Sequence, residues 1–191
     1  SSSTDYQSTF DNGRYTKTFD GEKITGNALG FAINYRDRTD DYGVVLRLRS
    51  PGFRTSNGFE KNNSTKWLKA GRGKTVYYDN HPKLLKTKYN IETVYKTNYT
   101  GVIKKQELSL STSSDFKNGD FFKLSGEVEK ENFRGIQFDN LYEFEFGYRN
   151  QINSSLKVYN ELQSRKIIVR NLDNPRSSGF YQLKSYVEYR I

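Results

Sequence analysis

Few groups in this chain have the type and spacing to do covalent chemistry. His81 is the single histidine. Asp79-Asn80-His81 sets a carboxylate two residues from an imidazole, the kind of pair that serves general acid–base catalysis. The pair sits in a turn beside Pro82, and the sequence assigns no serine to it as a nucleophile. With one histidine and no cysteine there is neither a metal-ligand set nor a disulfide framework. Gly71-Arg72-Gly73-Lys74 has the composition of a phosphate loop but lacks its spacing and the helix that must follow. No cofactor is expected, and the chain is not read as an enzyme. What it does carry is cations. The net charge is +9 and the isoelectric point is about 9.5, a balance that suits nucleic acid, anionic headgroups or acidic small molecules.

The elements that hold those cations are strands. In Leu141 to Arg149 one face reads Tyr142, Phe144, Phe146, Tyr148 and the other Glu143, Glu145, Gly147, Arg149, a period of two. Leu29, Phe31, Ile33 and Tyr35 alternate the same way within Ile24–Arg36. So do Tyr42, Val44, Leu46 and Leu48 after a charged hairpin tip. Leu85 to Tyr99 is the longest run, and it is long enough for a tilted membrane strand, which needs about 9–11 residues. Lys66–Tyr78, Val102–Ser113, Phe122–Glu129, a strand from Leu156, another over Arg165–Asn171, and Tyr181–Ile191 complete the pattern, after a short strand near Tyr6–Phe10. Links are expected at Ser50–Thr65, Asp79–Pro82, Ser114–Asp120, Lys130–Gly135, Asn150–Ser154 and Asp173–Gly179. The reading is all-β: a single domain over residues 1–191, with roughly ten to twelve antiparallel up-and-down strands.

The apolar content is 34%, yet aromatics reach 15% and mean hydropathy is -0.90. Amphipathic rings suit a membrane interface, although Tyr and Phe are also good strand formers. No stretch is apolar enough for a transmembrane helix, and this leaves a membrane barrel open. The chain has no Met, and a removed secretory signal is one explanation. Long strands, an aromatic apolar face and a terminal strand ending on an apolar residue favour a transmembrane β-barrel over a soluble one. Closure also removes exposed edges.

On these features the chain resembles a bacterial outer-membrane β-barrel. Tyr189 and Ile191 stand where the terminal strand of such barrels carries its aromatic and apolar signals, although the usual final residue is Phe. The small size and basic polar faces look most like the oligogalacturonate-specific (KdgM-type) porins. That resemblance implies a narrow monomeric channel in the outer membrane, with basic side chains in the lumen for acidic oligosaccharides. The lumen candidates are Arg36, Arg47, Arg49, Lys86, Lys88, Lys96, Lys123, Arg149, Lys184 and Arg190, since rings of Arg and Lys favour anions in a narrow pore. Glu92, Glu127, Glu143, Glu145 and Glu188 share those faces, so mutual neutralisation is the bland alternative.

The expected function is passive diffusion of small anionic solutes, with membrane lipid as the surrounding partner. The longer loops Ser50–Thr65 and Asp173–Gly179 are placed at the mouth. A soluble barrel or sandwich binding an acidic carbohydrate or lipid is the second reading. An outer-membrane hydrolase using His81 is the third, by resemblance to barrels with an Asp–His couple. Strands such as Lys86–Tyr99, with Tyr between cations, have the ingredients for stacking single-stranded nucleic acid. The spread of acids along the chain argues against that partner.

Overall fold

In the computed structural model, residues 9–10, 15–16, 26–53, 64–171 and 173–190 are described. The expected strand start at Ile24, most of the Ser50–Thr65 loop and Ile191 lie outside them. Two short strands, β1 (Thr9–Phe10) and β2 (Tyr15–Thr16), pair antiparallel. Nine strands then form one antiparallel sheet in strict chain order. They are β3 (Ala28–Arg36), β4 (Asp40–Arg49), β5 (Thr65–Tyr77), β6 (Leu84–Asn98), β7 (Ile103–Phe116), β8 (Phe121–Phe133), β9 (Ile136–Gln151), β10 (Leu156–Val169) and β11 (Arg176–Tyr189). There is no helix among the described residues. All three prolines lie between strands, where no ladder hydrogen bond is lost.

Several strands run further than expected. Ser114–Phe116 belong to β7, and the Thr87 and Ser114 hydroxyls bond each other at 2.9 Å across the ladder. Lys130–Phe133 belong to β8, and the link is the two-residue turn Arg134-Gly135, with φ of 53° and 82°. Two positive φ values match the twist of a tight hairpin, and Gly supplies one without steric cost. Leu156–Val169 is one strand, not two. Arg176 to Gly179 opens β11 rather than ending a loop. The common cause is polar residues within the strands, which read as links when an apolar core is assumed.

Register fixes two faces. Phe31, Leu46, Leu68 and Tyr95 lie side by side on β3 to β6. Leu108, Val128 and Tyr142 continue that face across β7 to β9. The opposite face carries Glu92, Ser109, Glu127, Glu143 and Arg165 in one row. Exposure is inverted relative to a water-soluble sheet. Leu110 is 53% and Val128 58% exposed, whereas the Glu107 and Glu145 side chains are each only 13% exposed. Among the described residues the buried hydrophobics are Val94, Phe138, Leu141 and Ile168. The low exposure of the polar face goes with ion pairs among its own long side chains.

One irregularity re-aims side chains at the end of the sheet. Between Glu129 and Glu131 the register slips, so that Asp139 and Asn140 face one residue of β8, and Asn140 has φ of 59°. This is a β-bulge, and Asn tolerates the left-handed conformation it needs. Phe138 and Leu141, on either side of it, are buried with Ile168 and pack against Phe133.

Candidate functional site

The polar face is built by alternation. Each of β6 to β10 sends every second residue to it, and all the glutamates in these strands fall there. Most of them meet a cation, from a neighbouring strand or, for Glu107, from its own. Lys105 Nζ lies 2.6 Å from Glu107 and 3.2 Å from Glu129. Lys69 meets Glu92 at 2.7 Å, and Lys123 meets Glu145 at 2.7 Å. Arg165 meets Glu143 at 2.8 Å, and Lys184 meets Glu161 at 2.9 Å. Beyond the end of β10, Arg170 reaches past β9 to grip both carboxylate oxygens of Glu131, the paired geometry guanidinium favours. These pairs, six cations against seven glutamates, run across the face as a largely neutralised band. Glycines let neighbours lie close to the backbone there. A Cβ at Gly73 would stand 2.8 Å from the Asn90 side chain, and one at Gly147 would stand 2.8 Å from the Tyr159 hydroxyl.

The register puts the lumen candidates together on this polar face, from Arg36 on β3 to Lys184 on β11. Their surroundings differ. Arg36 pairs with Asp41 at 2.7 Å, Lys86 with Asp115 at 3.2 Å and Arg190 with Glu188 at 2.8 Å. Lys123 and Lys184 belong to the neutralised band. Arg149 stacks 5.5 Å from the Phe121 ring centre and donates to the Gly119 carbonyl at 3.3 Å. Arg47 stands 4.9 Å from the Trp67 ring centre. Arg47, Trp67, Lys96 and Lys105 occupy one row, with Arg49 two residues along β4. This row lies at the end of the sheet where residues 50–64 and 170–175 connect strands; it continues to Glu131 on β8, so its cations lie on the β4–β7 side and meet acids at β8. Lys88 lies in a row with Thr75 and Ser113, without an acidic neighbour in it.

Sequence reasoning missed Lys69, Lys105, Arg165 and Arg170. The alternation of Lys105 with Glu107, and of Arg165 with Glu161 and Gln163, was the available signal. Glu107, Glu127 and Glu129 bring three carboxylates within 4.8 Å of one another. Lys105 already bridges two of them.

His81 lies in the turn before β6. Its Nδ1 accepts the backbone N–H of Lys83 at 3.1 Å and of Leu84 at 2.9 Å. Its ring lies edge-on to Tyr78 at 5.9 Å. The imidazole therefore caps the turn that starts β6, with the proton on Nε2. At the same end of the sheet, Asp120 organises the turn before β8. It accepts from Gln151 N–H at 2.7 Å, Asn118 at 2.9 Å, the Tyr148 hydroxyl at 3.0 Å and Asn150 at 3.1 Å. Burial alone would raise its pKa. The bonds from Gln151, Asn118, Tyr148 and Asn150 outweigh burial and hold the carboxyl below its usual value.

Compared with protein-family models, curated proteins and solved structures, the chain matches none.

Proposed function

We propose that this chain is a membrane-embedded β-barrel that conducts small anionic solutes through a polar interior. The observation that carries the reading is the inversion of the faces: large exposed apolar side chains back onto charges that are mostly covered. In water that arrangement leaves the hydrophobic driving force unused. In a bilayer the same face meets acyl chains and the polar face lines the lumen. Strands of 13–16 residues from β5 to β11 are long enough to span when tilted. Tyr35 and Tyr42 stack at 4.8 Å near one end, and Lys66 lies 5.0 Å from the Tyr99 ring centre near the other, both suited to an interface.

Closure has a parity condition. With nine strands in chain order, β3 and β11 run in the same direction, and each has one neighbour in the sheet. A barrel made only of antiparallel ladders therefore needs an odd number of further strands between them. Within it, Arg47, Arg49 and Lys96 supply the positive potential at one mouth, and the neutralised band sets the bore.

That band also favours a second reading, a barrel whose interior is filled by its own ion pairs. One experiment separates the two. Protein reconstituted in a planar bilayer under a salt gradient should give stepwise conductance with a reversal potential on the anion side. Changing Arg47 and Arg49 to Glu should move that potential toward cation preference. Insertion without conductance would favour the filled barrel. Protein that never inserts and stays in solution without detergent would refute the membrane reading and leave a binding protein.

A further inference from the structure

The acids of the polar face do not engage all of its cations. Lys69, Lys86, Lys123 and Lys184 each meet a carboxylate within 3.2 Å. Among the described lysines on the polar side of the strands, Lys88 is the one with no hydrogen bond, ion pair or ring contact, and it is exposed. In the ladder it stands between Thr75 of β5 and Ser113 of β7. Ser113 in turn stands opposite Lys123 of β8. Two strand spacings, about 10 Å, therefore separate the backbones of Lys88 and Lys123, with a hydroxyl side chain between them. Lys123 gives one N–H to Glu145 at 2.7 Å and keeps two others to donate. Lys86, two residues along β6, is held by Asp115 at 3.2 Å. Lys86, Lys88 and Lys123 against Asp115 and Glu145 leave one positive charge in excess.

Beside this patch the polar face is hollow. Gly71, Gly73, Ser109 and Ser111, with Asn34 and Asn90, line a space of about 400 Å³. Asn90 lies two residues from Lys88 and donates to the Ser111 hydroxyl at 3.1 Å, so that hydroxyl still has its own proton to give. The two acids that border the hollow are both paired, Asp41 with Arg36 at 2.7 Å and Glu92 with Lys69 at 2.7 Å.

We infer that Lys88, Ser113 and Lys123 form a binding site for a phosphate group, and that the solutes of the channel are phosphate or small phosphate esters. The inference rests on the reading of the polar face as a lumen. The type of donor decides the chemistry. Ammonium groups are point charges with rotatable donors, whereas a planar carboxylate is held best by a guanidinium fork. The arginine nearest the hollow, Arg36, is engaged by Asp41. The hydroxyls of Thr75, Ser111 and Ser113 come from two strands and two rows, and a tetrahedral oxyanion has acceptors in as many directions. The hollow gives room for the organic part of an ester.

Isothermal titration calorimetry of the full chain in detergent tests it, with inorganic phosphate, glycerol 3-phosphate and acetate as titrants at one ionic strength. Inorganic phosphate should bind about tenfold more tightly than acetate. Lys88→Gln should erase that preference, and Ser113→Ala should weaken phosphate binding about threefold. Lys130→Gln, on the apolar face, should change neither. Glycerol 3-phosphate binding as tightly as inorganic phosphate supports an ester with its body in the hollow, whereas binding of inorganic phosphate alone supports a site for the free ion. Equal affinity for phosphate and acetate overturns the inference, and so does a preference that survives Lys88→Gln. Lys88 is exposed and unpaired, so its substitution perturbs binding and not folding. Chloride conductance of the same protein is measured in planar bilayers. Phosphate binding without conductance refutes the open channel and keeps the site, whereas conductance without phosphate preference refutes the site alone.

Discussion

Leu110→Arg discriminates most sharply between lipid and water outside the apolar face. Leu110 is 53% exposed and sits near the centre of β7, between Ile103 and Phe116. At about 3.4 Å per residue and a tilt near 40°, it lies roughly 18 Å and 16 Å below the two ends of the strand. That places it within a few ångströms of the middle of an apolar band about 25 Å tall. A solvent-facing substitution at such a site changes stability by about 0.5 kcal/mol or less. At the midplane of a bilayer, Arg costs about 2–4 kcal/mol. Leu29→Arg provides the depth control. Leu29 is 60% exposed on the same face but one residue from the start of β3, where the cost falls to about 0–1 kcal/mol.

The assay is reversible denaturant unfolding of vesicle-inserted protein, followed by the fluorescence of Trp67, the single tryptophan. The expected result is a large cost at Leu110 and a small one at Leu29. Costs that are both within about 0.5 kcal/mol of wild type would refute the reasoning. Such a result would mean that the apolar face meets water, and the inverted exposure would need another explanation.

Two further outcomes concern the turns. Asp120→Ala removes the acceptor for Gln151 N–H and for three side chains. It should cost roughly 1–3 kcal/mol in the same unfolding assay. Because the folded carboxyl titrates below its usual value, its contribution is complete above the unfolded pKa of about 3.9 and fades as pH falls through the lower folded value. Wild-type stability should therefore drop below about pH 4 more steeply than that of Asp120→Ala, and equal slopes would count against this assignment. His81→Ala strips the turn cap from Lys83 and Leu84. It should cost about 0.5–1.5 kcal/mol and leave conductance unchanged. His81→Asn, which keeps a side-chain acceptor, should recover part of the loss, and a change in ion selectivity on either substitution would contradict a purely capping role.

The strands were legible because their alternation is local. Tyr142, Phe144, Phe146 and Tyr148 announce β9 whatever lies around them. Ends and links were less legible, for a single physical reason. A link is read from polarity, and here one side of each strand is polar too. Asn160-Glu161-Leu162-Gln163-Ser164 reads as a break in β10, yet Glu161 bonds Lys184 and Tyr159, and Gln163 is 5% exposed. The bulge at Asn140 was signalled only by a residue type tolerant of positive φ. Membership of the polar face for the basic candidates followed from period two. Which acid neutralises each depends on the register between strands, which no single strand encodes. Arg170 is the clearest case, because its partner Glu131 lies two strands away.

A mean hydropathy of -0.90 looks like an argument against any membrane, and period two dissolves it. The average mixes faces with opposite surroundings. Along β7 and β8 the apolar side offers Leu108, Leu110, Leu124 and Val128 while the polar side offers Lys105, Glu107, Glu127 and Glu129. Adding charges to the second side lowers the mean without touching the first. The measure that matters is the polarity of one face at a given depth. On the apolar face, acids in regular register are confined to Asp40 near a strand end, and the rings and aliphatic side chains run through the middle. Mutual pairing on the other face then makes the charges compatible with low exposure, since a largely covered Glu107 or Glu145 without its lysine would be strongly disfavoured. The high charge content and the exposed apolar face are thus two consequences of one alternation, and the low hydropathy follows from how densely the polar side is filled.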